Sequence, residues 1–161
     1  MPKYRRLTLQ ELESLEKDFT RFLASQSIAP SDWLRMKEEE PDQMMNMIDL
    51  FSDIVMEKVM EKVQFLQHRS KSTIRVFHLA KDKAICTALE TDDLNTDLTD
   101  AEHVAKLASG APIPGKIRIF QLEKQYEKSR NEEVWDMLQR GCYQAEQSMF
   151  NALNNMYKET L

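Results

Sequence analysis

Along the first 66 residues, apolar side chains recur at three- and four-residue spacing, the period that lines them up on one face of a helix. Leu9, Leu12, Leu15, Phe19, Phe22 and Leu23 form the first such face. Thr8-Leu9-Gln10-Glu11 opens it as a capping box, in which the threonine oxygen accepts from a backbone amide and the glutamate reaches back to the cap. Glu11, Glu13 and Glu16 fall near the positive end of the helix dipole, with Lys17 and Arg21 further along. The spacing predicts one helix over residues 9–25. After Pro30, residues 31–37 predict a short helical turn that carries Trp33, Leu34 and Met36 inward. Glu40-Pro41-Asp42 then opens a second long helix, because proline at the first helical position gives up an amide hydrogen that would have no partner there. Met44, Met47, Ile48, Phe51, Ile54, Val55, Val59, Val63 and Leu66 form its stripe and predict a helix over residues 42–66.

Past residue 72 the period changes. Thr73-Ile74-Arg75-Val76-Phe77-His78-Leu79 and Ala84-Ile85-Cys86-Thr87-Ala88-Leu89 are rich in β-branched and aromatic residues and flank Lys81-Asp82-Lys83, which reads as a hairpin. Pairing symmetric about Asp82 sets His78 opposite Cys86, and a slip of one residue separates them onto opposite faces. A polar loop, Thr91 to Leu98, leads to a second capping box, Thr99-Asp100-Ala101-Glu102, and a helix through Leu107 that Gly110 terminates. Ala111-Pro112-Ile113-Pro114-Gly115 is an extended connector to a third strand near residues 116–121. That strand echoes the first: Ile74-Arg75-Val76-Phe77-His78-Leu79 against Ile117-Arg118-Ile119-Phe120-Gln121-Leu122, which predicts similar half-buried settings. A third capping box, Ser129-Arg130-Asn131-Glu132, opens a helix that Gly141 stops, and a last helix spans about residues 145–157. The expected fold is α+β: a mostly helical single domain with a small antiparallel sheet, made of hairpin 73–89 and the strand near 116–121.

Composition narrows the class. With 161 residues, 42% hydrophobic and 30% charged, the chain suits one globular domain rather than a disordered segment. No apolar run approaches the roughly 20 residues that span a bilayer, and the basic start, Met1-Pro2-Lys3-Tyr4-Arg5-Arg6, is followed by an acidic helical pattern instead of a secretory core. A cytoplasmic location is expected by elimination. Cys86 and Cys142 stand far apart and suggest reduced thiols. The net charge of −5 is uneven: residues 67–90 carry 5 basic and 2 acidic side chains between acidic flanks. The cluster His68, Arg69, Lys71, Arg75, Lys81 and Lys83 makes Arg69, Lys71 and Arg75 candidate anion contacts. Nucleic acid is disfavoured, because binding domains are usually basic and this chain is acidic.

Chemical signatures are incomplete. Asp93, Asn95 and Asp97 match the opening of a calcium loop, but Leu98 stands where the turn needs glycine and Val104 where a bidentate glutamate belongs. Zinc needs more converging ligands than His78 and Cys86 supply. Cys142 with His103, or Cys86 with His78, are candidate nucleophile–base pairs, set against the commoner role of a free cysteine as a small core residue. Asp100 and His103 share a helix face at acid–base spacing. With three glycines, all at turn or cap positions, there is no phosphate-cradling loop. No catalytic, cofactor or metal residue is assigned.

Ten methionines are the compositional oddity, six of them between Met36 and Met60. Flexible and polarisable, methionine suits irregular cores and adaptable binding surfaces alike. Met45, Met56 and Met60 widen the stripe of the second long helix and are the candidate contacts for a partner protein or a second copy. Tyr4-Arg5-Arg6-Leu7-Thr8, Phe51-Ser52-Asp53, Glu57-Lys58-Val59 and Leu66-Gln67-His68-Arg69-Ser70-Lys71 together resemble an uncharacterised family of short bacterial proteins with no assigned function. That resemblance implies a bacterial cytoplasmic protein and brings no catalytic residues. The expected function is a non-catalytic interaction or regulatory module that meets a second copy or a partner protein; the alternative is a small enzyme or ligand-binding protein built from scattered residues such as His78, His103 and Cys142.

Overall fold

The computed structural model describes residues 1–106 and 109–161 with their side chains. In chain order the elements are α1 (Leu9–Ser14), α2 (Glu16–Ser25), α3 (Pro30–Glu39), α4 (Pro41–Lys62), β1 (Phe65–Arg69), β2 (Thr73–Leu79), β3 (Lys83–Thr91), α5 (Ala101–Ala108), β4 (Ile117–Gln125), α6 (Arg130–Gln139), β5 (Tyr143–Gln144) and α7 (Gln147–Glu159). The class is α+β, with a sheet of five antiparallel strands in the order β4-β3-β2-β1-β5, larger than the small sheet expected. The chain divides into two compact units, residues 1–61 and 62–161.

In the first unit, the capping box at Thr8 forms: the Glu11 amide donates to Thr8 Oγ1 at 3.2 Å, and the Thr8 amide donates to Glu11 Oε2 at 2.8 Å. The single helix expected over 9–25 is instead two, parted at Leu15, whose backbone leaves the helical well (φ −107°, ψ 22°). Spacing cannot register this break, since hydrogen bonds run through it: Leu15 N donates to Glu11 O, and Phe19 N to Leu15 O. The short turn expected at 31–37 is a full helix, α3, whose Asp32 accepts from the Ala29 amide at 3.1 Å. Met36 is buried there, but Leu34 is 62% exposed and not inward.

The buried row of α4 is Ile48, Ser52, Met56 and Met60, with Asp49 and Phe51 beside it. Two of these positions are polar because the extended residues 3–7 lie against them. The amide of Lys3 donates to Asp53 at 2.8 Å, Tyr4 Oη to Glu57 at 2.6 Å, and the Leu7 amide to Ser52 Oγ at 3.0 Å. Arg6 grips Asp49 through two bonds, at 2.6 and 3.1 Å. The stripe drawn through apolar residues alone is therefore rotated from the real one, and Leu50, Ile54 and Val59 stand exposed. Met56 and Met60, expected to face a partner, are buried at 5% and 2% exposure, so neither offers an outer contact.

In the second unit, α4 gives way to β1 at residue 65, where the helix was expected to continue to residue 66. A stripe of Val59, Val63 and Leu66 suits either structure, and pairing decides between them: β1 zips onto β2 from Phe65↔His78 to Arg69↔Ile74. β5 adds two residues beside β1. The β2–β3 hairpin forms with Phe77↔Cys86 and His78↔Ile85, a register symmetric about the bond between Lys81 and Asp82. An even number of loop residues shifts pairing by one, so His78 and Cys86 point to opposite faces. One sheet face carries Ile74, Val76 and Leu89, covered by Phe150 and Leu153 of α7 and by Leu98 and Val104. The echo strands differ in setting: β2 is central with Ile74 and Val76 fully buried, whereas β4 is an edge with Leu122 60% exposed.

Caps and turns close the unit. The box at Ser129 and Glu132 forms as expected. The box expected at Thr99 does not; Asp100 caps α5 instead, its Oδ1 accepting from the Glu102 amide at 2.8 Å. Gly115 has φ +88°, and a Cβ there would lie 2.5 Å from Asp92 Oδ1 and 2.9 Å from the Asp93 amide nitrogen. Only glycine fits, since Asp92 Oδ1 is held in place by the Lys116 amide at 2.6 Å.

Candidate functional site

A large apolar groove lies within residues 1–61. Helices α1 to α4 leave between them a groove of about 1,080 Å³. Leu7, Leu23 and Ile48 are buried at its base, and Leu12, Phe19, Ile28, Trp33, Met44 and Met45 are half-buried along its walls. At its mouth Leu9 is 79% exposed and Leu34 62%. The walls are braced by aromatic contacts: Phe19 meets Trp33 edge-on at 5.2 Å and Phe51 at 4.9 Å between ring centroids. Such pairs add to area burial and hold ring positions. Lys37 Nζ sits 5.7 Å from the centre of the Trp33 ring, and Glu13 and Glu16 stand on the opposite helices. Arg6 also reaches the groove, with its charge taken up by Asp49, whose carboxyl that guanidinium holds below the usual range.

The groove owes its existence to a count of surfaces. Four helices with this many large apolar residues need each stripe covered by another, and here α1, α2, α3 and α4 splay around a shared space. Spacing places Leu9, Leu12, Phe19 and Trp33 on helical faces but carries no information on whether those faces meet. Of the three methionines read as partner contacts, only Met45 lies on this groove.

The other candidates are engaged elsewhere. His78 stacks at 4.8 Å on Phe65 and lies 5.5 Å from Phe150, so it packs with the aromatic core. His103 Nδ1 lies 2.9 Å from both the amide nitrogen and the carbonyl oxygen of Asp97, while Asp100 caps its helix, so the two make no acid–base pair. Burial pushes the Cys86 thiol up to about 11 and the Cys142 thiol upward as well, opposite to what a nucleophile needs. In the acidic loop, Asp93 accepts from Thr96 Oγ1 and Asp97 from the Thr99 amide, and Thr99 is the chief reason the Asp97 carboxyl is held below its ordinary range. Among the described residues, no three of His, Cys, Asp and Glu gather as a metal cluster.

Arg69, Lys71 and Arg75 are not brought onto one surface. Arg69 pairs across from Ile74 and donates to Gln67 Oε1 at 2.7 Å, whereas Arg75 sits opposite His68 on the other face. Lys71 lies in the turn between β1 and β2, its carbonyl accepting from the Leu98 amide. Among the described residues no helix is long and apolar enough to cross a membrane.

The chain is α+β, with an acidic helical unit that carries an apolar groove and a second unit built on an antiparallel sheet. Its family is a definite one: a family model described as "Family of unknown function (DUF6495)" matches residues 1–158, and the chain belongs to that family. No curated protein and no solved structure matches it. Three of the stretches that carried the sequence resemblance converge in space, residues 4–8 being strapped to Ser52, Asp53 and Glu57.

Proposed function

We propose that this chain is a non-catalytic protein-interaction module, acting in a bacterial cytoplasm, whose helical unit takes the apolar face of a partner into the groove of residues 7–48. The observation that carries the reading is the groove itself, with Leu9 and Leu34 standing open at its mouth. Contiguous exposed apolar surface is disfavoured on a monomer and marks sites of interaction. The alternative, a small enzyme or ligand-binding protein with a site assembled from residues such as His78, His103 and Cys142, is less favoured, because His78 packs on Phe65, His103 meets the Asp97 backbone and burial raises the Cys142 thiol. Met45 remains as a contact residue; Met56 and Met60 serve the interior.

Native mass spectrometry of freshly purified protein, run beside light scattering coupled to size exclusion, tests the reading. The expected outcome is a chain of 18.9 kDa, alone or with a protein partner or second copy, whose association weakens in a Leu34→Gln variant. A stoichiometric small molecule retained by the wild type and released by Leu34→Gln would overturn it in favour of ligand binding.

A further inference from the structure

We infer that the groove's partner is a basic amphipathic helix, a conclusion that rests on the interaction reading above and names the chemistry of its occupant. The first argument is charge. Residues 1–61 carry 8 basic and 13 acidic side chains, and residues 62–161 carry 14 of each, so the unit holding the groove bears the whole net charge of −5. At the groove's edge Arg6 is neutralised by Asp49, which leaves Glu13 and Glu16 against the single Lys37. A partner crossing this rim gains from cationic side chains beside its apolar row, and an anionic one is repelled.

The second argument is shape and surface chemistry. A small-molecule site is a cleft of about 300–1,000 Å³ with a few convergent polar groups at its base to fix orientation. This groove lies just above that range, its lining is mostly apolar, and Glu13, Glu16 and Lys37 stand on the helices that border it. That arrangement matches a row of side chains at i, i+3, i+4 and i+7, which needs an apolar trough and no directional anchor. Met44 and Met45 add walls that can re-pack around such a row, and Trp33 supplies a large, rigid contact braced by Phe19.

Fluorescence anisotropy with three labelled synthetic peptides of about 18 residues tests this at about 150 mM salt. One is a leucine–lysine amphipathic helix, the second carries glutamate at every lysine position, and the third scrambles the first so that no apolar face forms. The full-length chain is titrated as wild type, Leu34→Gln, Met45→Gln and Glu13→Gln/Glu16→Gln. Leu34 is exposed, and glutamine is a good helix former, so that variant keeps its fold, as its circular dichroism would show. The expected result is that the lysine helix binds at least about tenfold tighter than the other two peptides, a difference of one decade in Kd. Leu34→Gln and Met45→Gln weaken it about tenfold, and the double glutamate variant weakens it and flattens its salt dependence. Equal binding of the lysine and glutamate helices, lost in Leu34→Gln, would overturn the basic partner while leaving the groove as an interaction site. Tight binding of the lysine helix that ignores Leu34→Gln and Met45→Gln would overturn the proposal, since the peptide would then be held by general charge elsewhere. A concentration-dependent dimer abolished by Leu34→Gln, with no peptide bound, would identify the occupant as a second copy and overturn the basic helix alone. No peptide and no dimer, with a fatty acid or apolar dye bound and released by Leu34→Gln, would overturn both this inference and the interaction reading.

Discussion

Leu153 is fully buried where α7 crosses the sheet, in a cluster with Phe65, Ile74, Val76, Leu89, Leu98, Val104 and Phe150. Truncating it to alanine removes three side-chain carbons from water-free surroundings and leaves a cavity. Leucine-to-alanine changes in cores cost about 2–5 kcal/mol, less where neighbours can collapse into the space. Ile74, Val76 and Leu89 belong to β2 and β3, inner strands held by partners on both sides, so collapse is restricted and the loss should reach about 3–5 kcal/mol. With a urea m-value of about 2 kcal/mol per molar, the midpoint of unfolding then falls by roughly 2 M. The assay exploits a division of reporters: Trp33 lies in the first unit and Trp135 in the second. In a Trp33→Phe background, emission follows the second unit alone. Leu122→Ala on the edge strand is the control; its side chain is 60% exposed and the change should stay within about 0.5 kcal/mol. A Leu153→Ala loss below about 1 kcal/mol would refute the packing of α7 on this sheet face.

Met56→Glu places a carboxylate at a position 5% exposed, so it should cost about 3 kcal/mol or more and lower the thermal midpoint seen by circular dichroism; a variant as stable as wild type but newly monomeric would return Met56 to a partner surface. The Arg5 guanidinium and the Thr8 amide hold Glu11 down at about 2, below its ordinary value near 4.3, so its stabilisation is present in full above about pH 4.5 and is lost as pH falls toward 2. The stability difference between wild type and Glu11→Gln should accordingly vanish across that window, and a difference unchanged by pH would contradict the pairing. With its thiol pushed up to about 11, Cys86 should react with iodoacetamide about a hundredfold more slowly at pH 7.5 than a free cysteine; peptide mapping that finds it modified at the ordinary rate would argue against the burial seen here.

Helix starts were legible where both capping partners lie close in the chain. The boxes at Thr8/Glu11 and Ser129/Glu132 close within three residues, so the chain carries both partners together and no distant group intervenes. At Thr99 the same logic met a competitor one residue on, since Asp100 reaches the Glu102 amide directly. The hairpin's existence was likewise local, while its register was not. Moving the axis from Asp82 to the Lys81–Asp82 bond sends His78 to the aromatic cluster and Cys86 to the opposite face, which separates the pair considered for zinc and for a Cys86 nucleophile. The β1 strand depended on pairing with residues 74–78, a partnership that no property of Phe65-Leu66-Gln67 announces.

Apolar periodicity established that α4 is a helix, but which side of it faces inward was decided by residues about 45 positions away. Ser52 and Asp49 sit in the buried row because Leu7 and Arg6 satisfy them, and that row turns Met56 and Met60 in and Ile54 out. The groove is the furthest from local reading. Its residues are individually ordinary members of amphipathic faces, and it arises because four such faces converge without filling the space between them. Hydrogen-bonding geometry and side-chain period act over three or four residues and are written in the chain, whereas burial is a property of whichever surfaces meet, which only the packed structure decides.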